Sequence, residues 1–192
     1  MKVYHVVCSL ENRFRSLSEA KEHYSKVIYP RIPNTAGIYE DKTTPRICVA
    51  PTIEGCLTGI KLLGRLRRCL AANEDAMSYE TLGLEVYPII ILEFDVPESI
   101  LYKPLKHQVP DVDITNEYWI TQPIKANRVS VKWLNPRSII WEETHRQEMW
   151  YKCKKVIFTR SIKGRNHPWI NGRGNILESS EMEPEYSDQR HI

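Results

Sequence analysis

The 192 residues suffice for one domain with a real core and a tail, and an apolar content of 42% is ordinary for a chain that folds in water. No run nears the ~20 apolar residues of a membrane span, residues 1–8 lack the features of a signal peptide, and five cysteines with no Cys-x-x-Cys spacing argue against a disulfide framework or zinc ribbon. The net charge of +3 is uneven, because the acidic segment 176–192 offsets a body of +7 over residues 1–175, a balance that draws a polyanion or a phosphate-bearing molecule only mildly.

Residues 2–8 read as a first strand, with Val3, His5 and Val7 on one face and Tyr4, Val6 and Cys8 on the other. Residues 9–16 read as a loop, and Ser16 or Ser18 caps a helix running to between Tyr24 and Ile28, which Pro30 ends. Residues 30–45 hold three prolines and a glycine, so a long loop is expected, carrying Arg31, Tyr39 and Glu40. Arg46–Val49 is a short strand. Ala50-Pro51-Thr52 turns it into a helix whose apolar stripe runs from Ile53 through residues 56, 57, 60, 63, 66 and 70.

Residues 71–85 are polar and loop-like. The strongest β signal is Leu84–Val96, and its unbroken apolar middle predicts a central strand covered on both faces. Residues 97–114 are irregular, followed by a strand at about 116–121 that Pro123 breaks, a strand at 129–134 and a short one at 138–141. Residues 142–155 are helical in composition, and 156–160 would form a last strand. Strands outnumber helices, which predicts an α+β domain over 1–160 with a mainly antiparallel sheet and flanking helices. Residues 161–192 form a C-terminal extension with little to bury, partly disordered unless a partner holds it.

Within 116–121, alternation puts Glu117, Trp119 and Thr121 on one face and Tyr118 and Ile120 on the other. A carboxylate beside a large ring is either a strand-edge group facing water or a partly buried acid with a perturbed pKa. The six histidines and five cysteines show no metal-site spacing, so no metal is expected, and the thiols suggest a reducing, cytoplasmic setting.

Three separated signals carry a resemblance: Tyr4-His5-Val6 on the first strand, the strand-to-helix turn at 46–52, and Asn116-Glu117-Tyr118-Trp119-Ile120 late in the chain. Together they resemble the ADP-ribosyltransferase fold of the diphtheria-toxin and poly(ADP-ribose) polymerase type, over about residues 2–135. The third signal is the specific one. The resemblance implies a split, mainly antiparallel sheet and NAD as substrate.

It also implies a transferase acting on a protein or nucleic-acid target, in the manner of a toxin or a phage/host-conflict effector. Glu117 would hydrogen-bond the ribose 2′-hydroxyl and stabilise the oxocarbenium character that develops as nicotinamide leaves. His5 would hold the other ribose. Arg31 or Arg46 would take the pyrophosphate, Thr52 a phosphate or ribose at a helix N-terminus, and Trp119 would wall the pocket.

The chain departs from that pattern at Cys48, where the family carries a tyrosine that stacks on nicotinamide, and at Val6 and Val7, where small residues are usual. A second reading therefore stands beside the first: a non-catalytic binding or inhibitor protein on the same fold, engaging a protein or nucleic-acid partner.

Overall fold

A computed structural model describes residues 1–8, 14, 16–33, 40–60, 87–135, 138–144 and 151–158. Over these residues the protein is mixed α and β, with mostly antiparallel sheet and few helices. Strand β1 (Lys2–Val7) pairs antiparallel with β4 (Tyr87–Asp95), and β4 pairs antiparallel with β7 (Arg128–Leu134). The apolar run Ile89–Leu92 lies at the centre of this sheet with at most 3% of any residue exposed, as a strand covered on both faces requires.

The period-2 alternation of β4 feeds two cores. Ile90, Leu92 and Phe94 pack with Val3 and Val7 and with Leu17, Ala20 and Tyr24 of helix α1 (Leu17–Tyr24). Ile89 and Ile91 face the other way, toward Val6, Leu57, Leu134, Ile139 and Cys153.

Ser16 caps α1, its hydroxyl accepting from Glu19 N at 3.1 Å. The helix stops at Tyr24, short of Ile28, because Val27–Ile28 leave it to form strand β2, paired with β6 (Ile124–Lys125). Strand β3 (Ile47–Val49) pairs antiparallel with β5 (Tyr118–Ile120). Two hydrogen bonds between Tyr4 and Ala50 then tie the end of β3 to β1. Tyr102 makes the same kind of bridge to Trp119 on the far side of β5. The backbone hydrogen bonds thus run without a break from Tyr102 through β5, β3, β1 and β4 to β7.

Helix α2 (Ile53–Thr58) starts at Thr52, as the turn residues predict, and closes at Gly59. The rest of the expected helical stripe, at 63, 66 and 70, lies outside the described residues, as do the loop 71–85, Tyr39, Cys69 and the extension 161–192. The irregular stretch 97–114 contains a 3-10 turn at Glu98–Ile100 and most of the short helix α3 (Val112–Thr115).

The elements expected after residue 141 are corrected. Residues 142–155 do not form a helix where they are described. Strand β8 (Ile139–Glu143) and strand β9 (Tyr151–Val156) pair antiparallel, with a register shift between Ile140 and Trp141, and β9 ends at Val156, where a last strand over 156–160 is expected to begin. The Glu and Lys content suits a helix, but Cys153 is buried between exposed Lys152 and Lys154, a strand alternation. Packing against α2 decides the outcome, and the Thr58 hydroxyl accepts from Cys153 N at 3.0 Å.

Candidate functional site

The site grows from the β3–β5 pair. Helix α3 must turn sharply into β5, and it does so at Asn116, with φ 51° in the left-handed region that asparagine tolerates better than most residues. Asn116 Oδ1 also accepts from Lys103 Nζ at 2.6 Å. Glu117 therefore sits one residue ahead of the strand rather than within it.

Its side chain does share a face with Trp119, as alternation predicts. Trp119 Nε1 donates to Glu117 Oε1 at 2.6 Å, and Trp119 is fully buried among Val109 and Val112. Across the pair, Cys48 faces Trp119, and its thiol interacts with the Glu117 carboxylate, favouring the charged form of that acid.

His5 comes to the same place from β1. Its Nδ1 lies 2.7 Å from the carbonyl oxygen of Cys48. A carbonyl can only accept, so Nδ1 carries the proton and a neutral ring keeps Nε2 as an acceptor. Burial, with a contribution from the Arg31 charge, holds the imidazole below its ordinary pKa against the opposing Cys48 carbonyl. His5 is thus a neutral imidazole at pH 7.

Arg31 and Arg46 form an isolated antiparallel bridge, Arg31 N to Arg46 O at 3.2 Å and Arg46 N to Arg31 O at 3.0 Å. Residues directly opposite in such a pair project from one face. Arg46 is 3% exposed, and its guanidinium lies 4.2 Å from the centroid of the Trp119 ring. Its Nη1 donates to Thr44 O at 3.0 Å, while Nε is, among the described residues, the buried side-chain polar atom with no hydrogen-bond partner.

Asp41 fixes the approach to Arg46. Its carboxylate accepts from the amides and the hydroxyls of both Thr43 and Thr44, at 2.6 to 2.9 Å, which holds it well below the usual carboxylate range.

These groups line one cavity of about 980 Å³, at the upper end of the size range of small-molecule sites. His5, Arg31, Arg46, Cys48 and Glu117 are on its wall. Thr52 is not: its exposed hydroxyl accepts from Gly55 N at 3.0 Å and serves α2 as a cap. Trp119 is also off the wall, because Arg46 covers its ring and its part is to hold Glu117.

Burial raises the pKa of Glu117 above the ordinary carboxylate value. Asp111, also on the cavity wall, adds to the rise, while Trp119, Cys48 and Arg46 oppose it. The Cys48 thiol is pushed far up by burial and by Glu117, so it remains protonated. Cys56, on the same wall, donates to Tyr4 O at 3.0 Å and is pushed up to about 12, mainly by burial. Both thiols are protonated and poor nucleophiles at neutral pH.

Sequence reasoning did not single out Asp41, Asp111 or the approach of the Cys48 thiol to Glu117. The Asp41-Lys42-Thr43-Thr44-Pro45 run carries a recognisable turn signal. The other two roles have no local signature.

No group of three or more His, Cys, Asp or Glu among the described residues is placed to hold a metal ion. No described helix is long and apolar enough to cross a membrane. No protein-family model, no curated protein and no solved structure matches the chain.

Proposed function

We propose that this protein is an NAD-dependent ADP-ribosyltransferase of the diphtheria-toxin and poly(ADP-ribose) polymerase type, acting on a protein or nucleic-acid acceptor. The observation that carries the reading is the convergence of His5 and Glu117 on Cys48, one through its carbonyl and the other through its thiol. The strand order supports it too, since β1, β3 and β5, which hold or border the three resembling segments, are neighbours. So does the fit of a dinucleotide. The cavity has the volume, and the paired Arg31 and Arg46, with a buried unpartnered Nε, suit a pyrophosphate.

NAD supplies a glycosidic bond to a neutral leaving group, nicotinamide, with positive charge growing on the ribose carbon as that bond lengthens. Glu117 stabilises that charge and accepts from the neighbouring ribose hydroxyl. Its raised pKa also suits it to take the proton of an incoming acceptor. His5 Nε2 accepts from a ribose hydroxyl, and Arg31 and Arg46 orient the phosphates. Trp119 holds the carboxylate in place through its indole hydrogen bond, so little reorganisation is needed during reaction.

Incubation with labelled NAD and candidate targets, with free nicotinamide measured in parallel, tests the proposal. Transfer or nicotinamide release by the native protein, falling by about 10²–10⁴-fold in Glu117→Gln, supports it. No turnover, together with NAD binding that Glu117→Gln leaves unchanged, sinks it.

The second reading, a non-catalytic binding protein, draws on Cys48, which gives the cavity a thiol where a stacking ring is expected. It wins if a protein or nucleic-acid partner co-purifies and Glu117→Ala leaves both its binding and the biological effect intact.

A further inference from the structure

Three rings stand together on the cavity wall, two from α1 and one from two residues before its cap: His23, Tyr24 and Phe14. Phe14 lies 5.2 Å from His23 and 5.7 Å from Tyr24, and His23 lies 5.0 Å from Tyr24, all tilted or edge-on. These separations and angles are those that ring quadrupoles favour.

Burial distinguishes this cluster from ordinary core. Tyr24 is buried, Phe14 is half-buried and His23 is exposed, so the group runs from the core out to the open space of the cavity. From Tyr24 the chain continues along the same wall through Lys26 and Tyr29, the latter 69% exposed, to Arg31. Arg31 bridges Arg46, which leads to Trp119 and Glu117. One wall therefore passes from aromatic rings, through two guanidinium groups, to a buried carboxylate.

We propose that the Phe14, His23 and Tyr24 cluster is the base subsite of this cavity and takes the planar heteroaromatic ring of a nucleotide whose phosphates lie on Arg31 and Arg46. A nucleotide base presents flat π-faces that stack on aromatic side chains, and its phosphates need cations close by. An aliphatic ligand would use the rings but not the arginines, and inorganic phosphate would use the arginines but not the rings. The proposal rests on reading the cavity as a nucleotide site and adds which end holds the base.

Titration calorimetry with ADP and with inorganic pyrophosphate tests it. The native protein is expected to bind ADP more tightly than pyrophosphate. His23→Ala changes an exposed ring, and Phe14→Leu keeps apolar bulk, so the double variant retains its fold, which a thermal melt checks. In that variant ADP binding weakens about tenfold while pyrophosphate binding is unchanged. Arg31→Ala weakens both.

The base subsite is overturned if the double variant binds ADP as the native protein does, if it loses both ligands equally, or if native ADP binding is no tighter than pyrophosphate binding. Failure of the transferase reading has a different signature: ADP binding behaves as expected, yet NAD releases no nicotinamide.

Discussion

The indole of Trp119 donates to the carboxylate of Glu117 at 2.6 Å, two residues apart on one face of the same segment. A hydrogen bond to an ionised acceptor is short and about twice as strong as a neutral one. Here it opposes the rise in pKa that burial imposes on Glu117.

Replacing Trp119 by Phe removes that donor and keeps most of the ring. Because the bond favours the charged form, the pKa of Glu117 rises further. Any activity that needs ionised Glu117 then has its acid limb displaced to higher pH, which a pH–rate profile reads directly. Leaving a buried carboxylate short of a partner also costs about 1–3 kcal/mol of stability, visible in a denaturant melt.

Glu117→Gln is expected to separate activity from stability. The folded-state pKa of Glu117 is raised, mainly by burial, so its contribution to stability is full below the unfolded pKa and lost as pH rises through the folded one. The amide oxygen still accepts from Trp119 and carries no charge. Glu117→Gln should therefore stabilise the protein by about 0.5–2 kcal/mol at pH 8, the usual range for relieving a cost imposed by function. The gain should shrink toward pH 4. A Tm series across pH for both proteins checks the sign, and an equal gain at all pH values contradicts the assignment.

Gly55 sets how closely α2 approaches α3. A Cβ there would lie 2.7 Å from the backbone oxygen of Thr115 and 3.0 Å from Ala50 Cβ, and Thr115 is followed by Asn116 and Glu117. Gly55→Ala must push α3 away, at about 1–3 kcal/mol, and displace the carboxylate as it does so. The expected result is a lower Tm and a larger loss of turnover than of NAD affinity.

Asp41 acts on Arg46 through Thr44, whose carbonyl accepts from Arg46 Nη1. Asp41→Ala frees the 41–46 turn and should weaken pyrophosphate binding severalfold, with Asp41→Asn recovering part of it because one side-chain oxygen still accepts. The folded-state pKa of Asp41 is depressed, so its contribution to stability is present above the unfolded carboxylate pKa and fades as pH falls through the folded one. The native protein should thus lose stability at acid pH in a way that Asp41→Ala does not.

Much of the fold is legible in local pattern. The alternation of β1, the unbroken apolar middle of β4 and the capping residues Ser16 and Thr52 each report a decision made within a few residues. The 142–155 stretch is not legible in the same way. Its composition suits a helix, and only packing against α2 makes strands of its described parts. Glu117 beside Trp119 could be read from the sequence because two residues along an extended chain share a face.

The sequence by itself determined that this chain builds a mixed domain around an apolar central strand and that the Glu117 carboxylate shares a face with Trp119. Tertiary structure decided what that carboxylate meets. His5 and Cys48 are 43 residues apart, and Cys48 and Glu117 are farther apart still, yet they converge because β3 pairs with β5 and is bridged to β1. Arg46 becomes a buried cation over Trp119 for the same reason. Strand pairing between distant segments is set by which faces must be buried together, and no local window of the sequence contains that information.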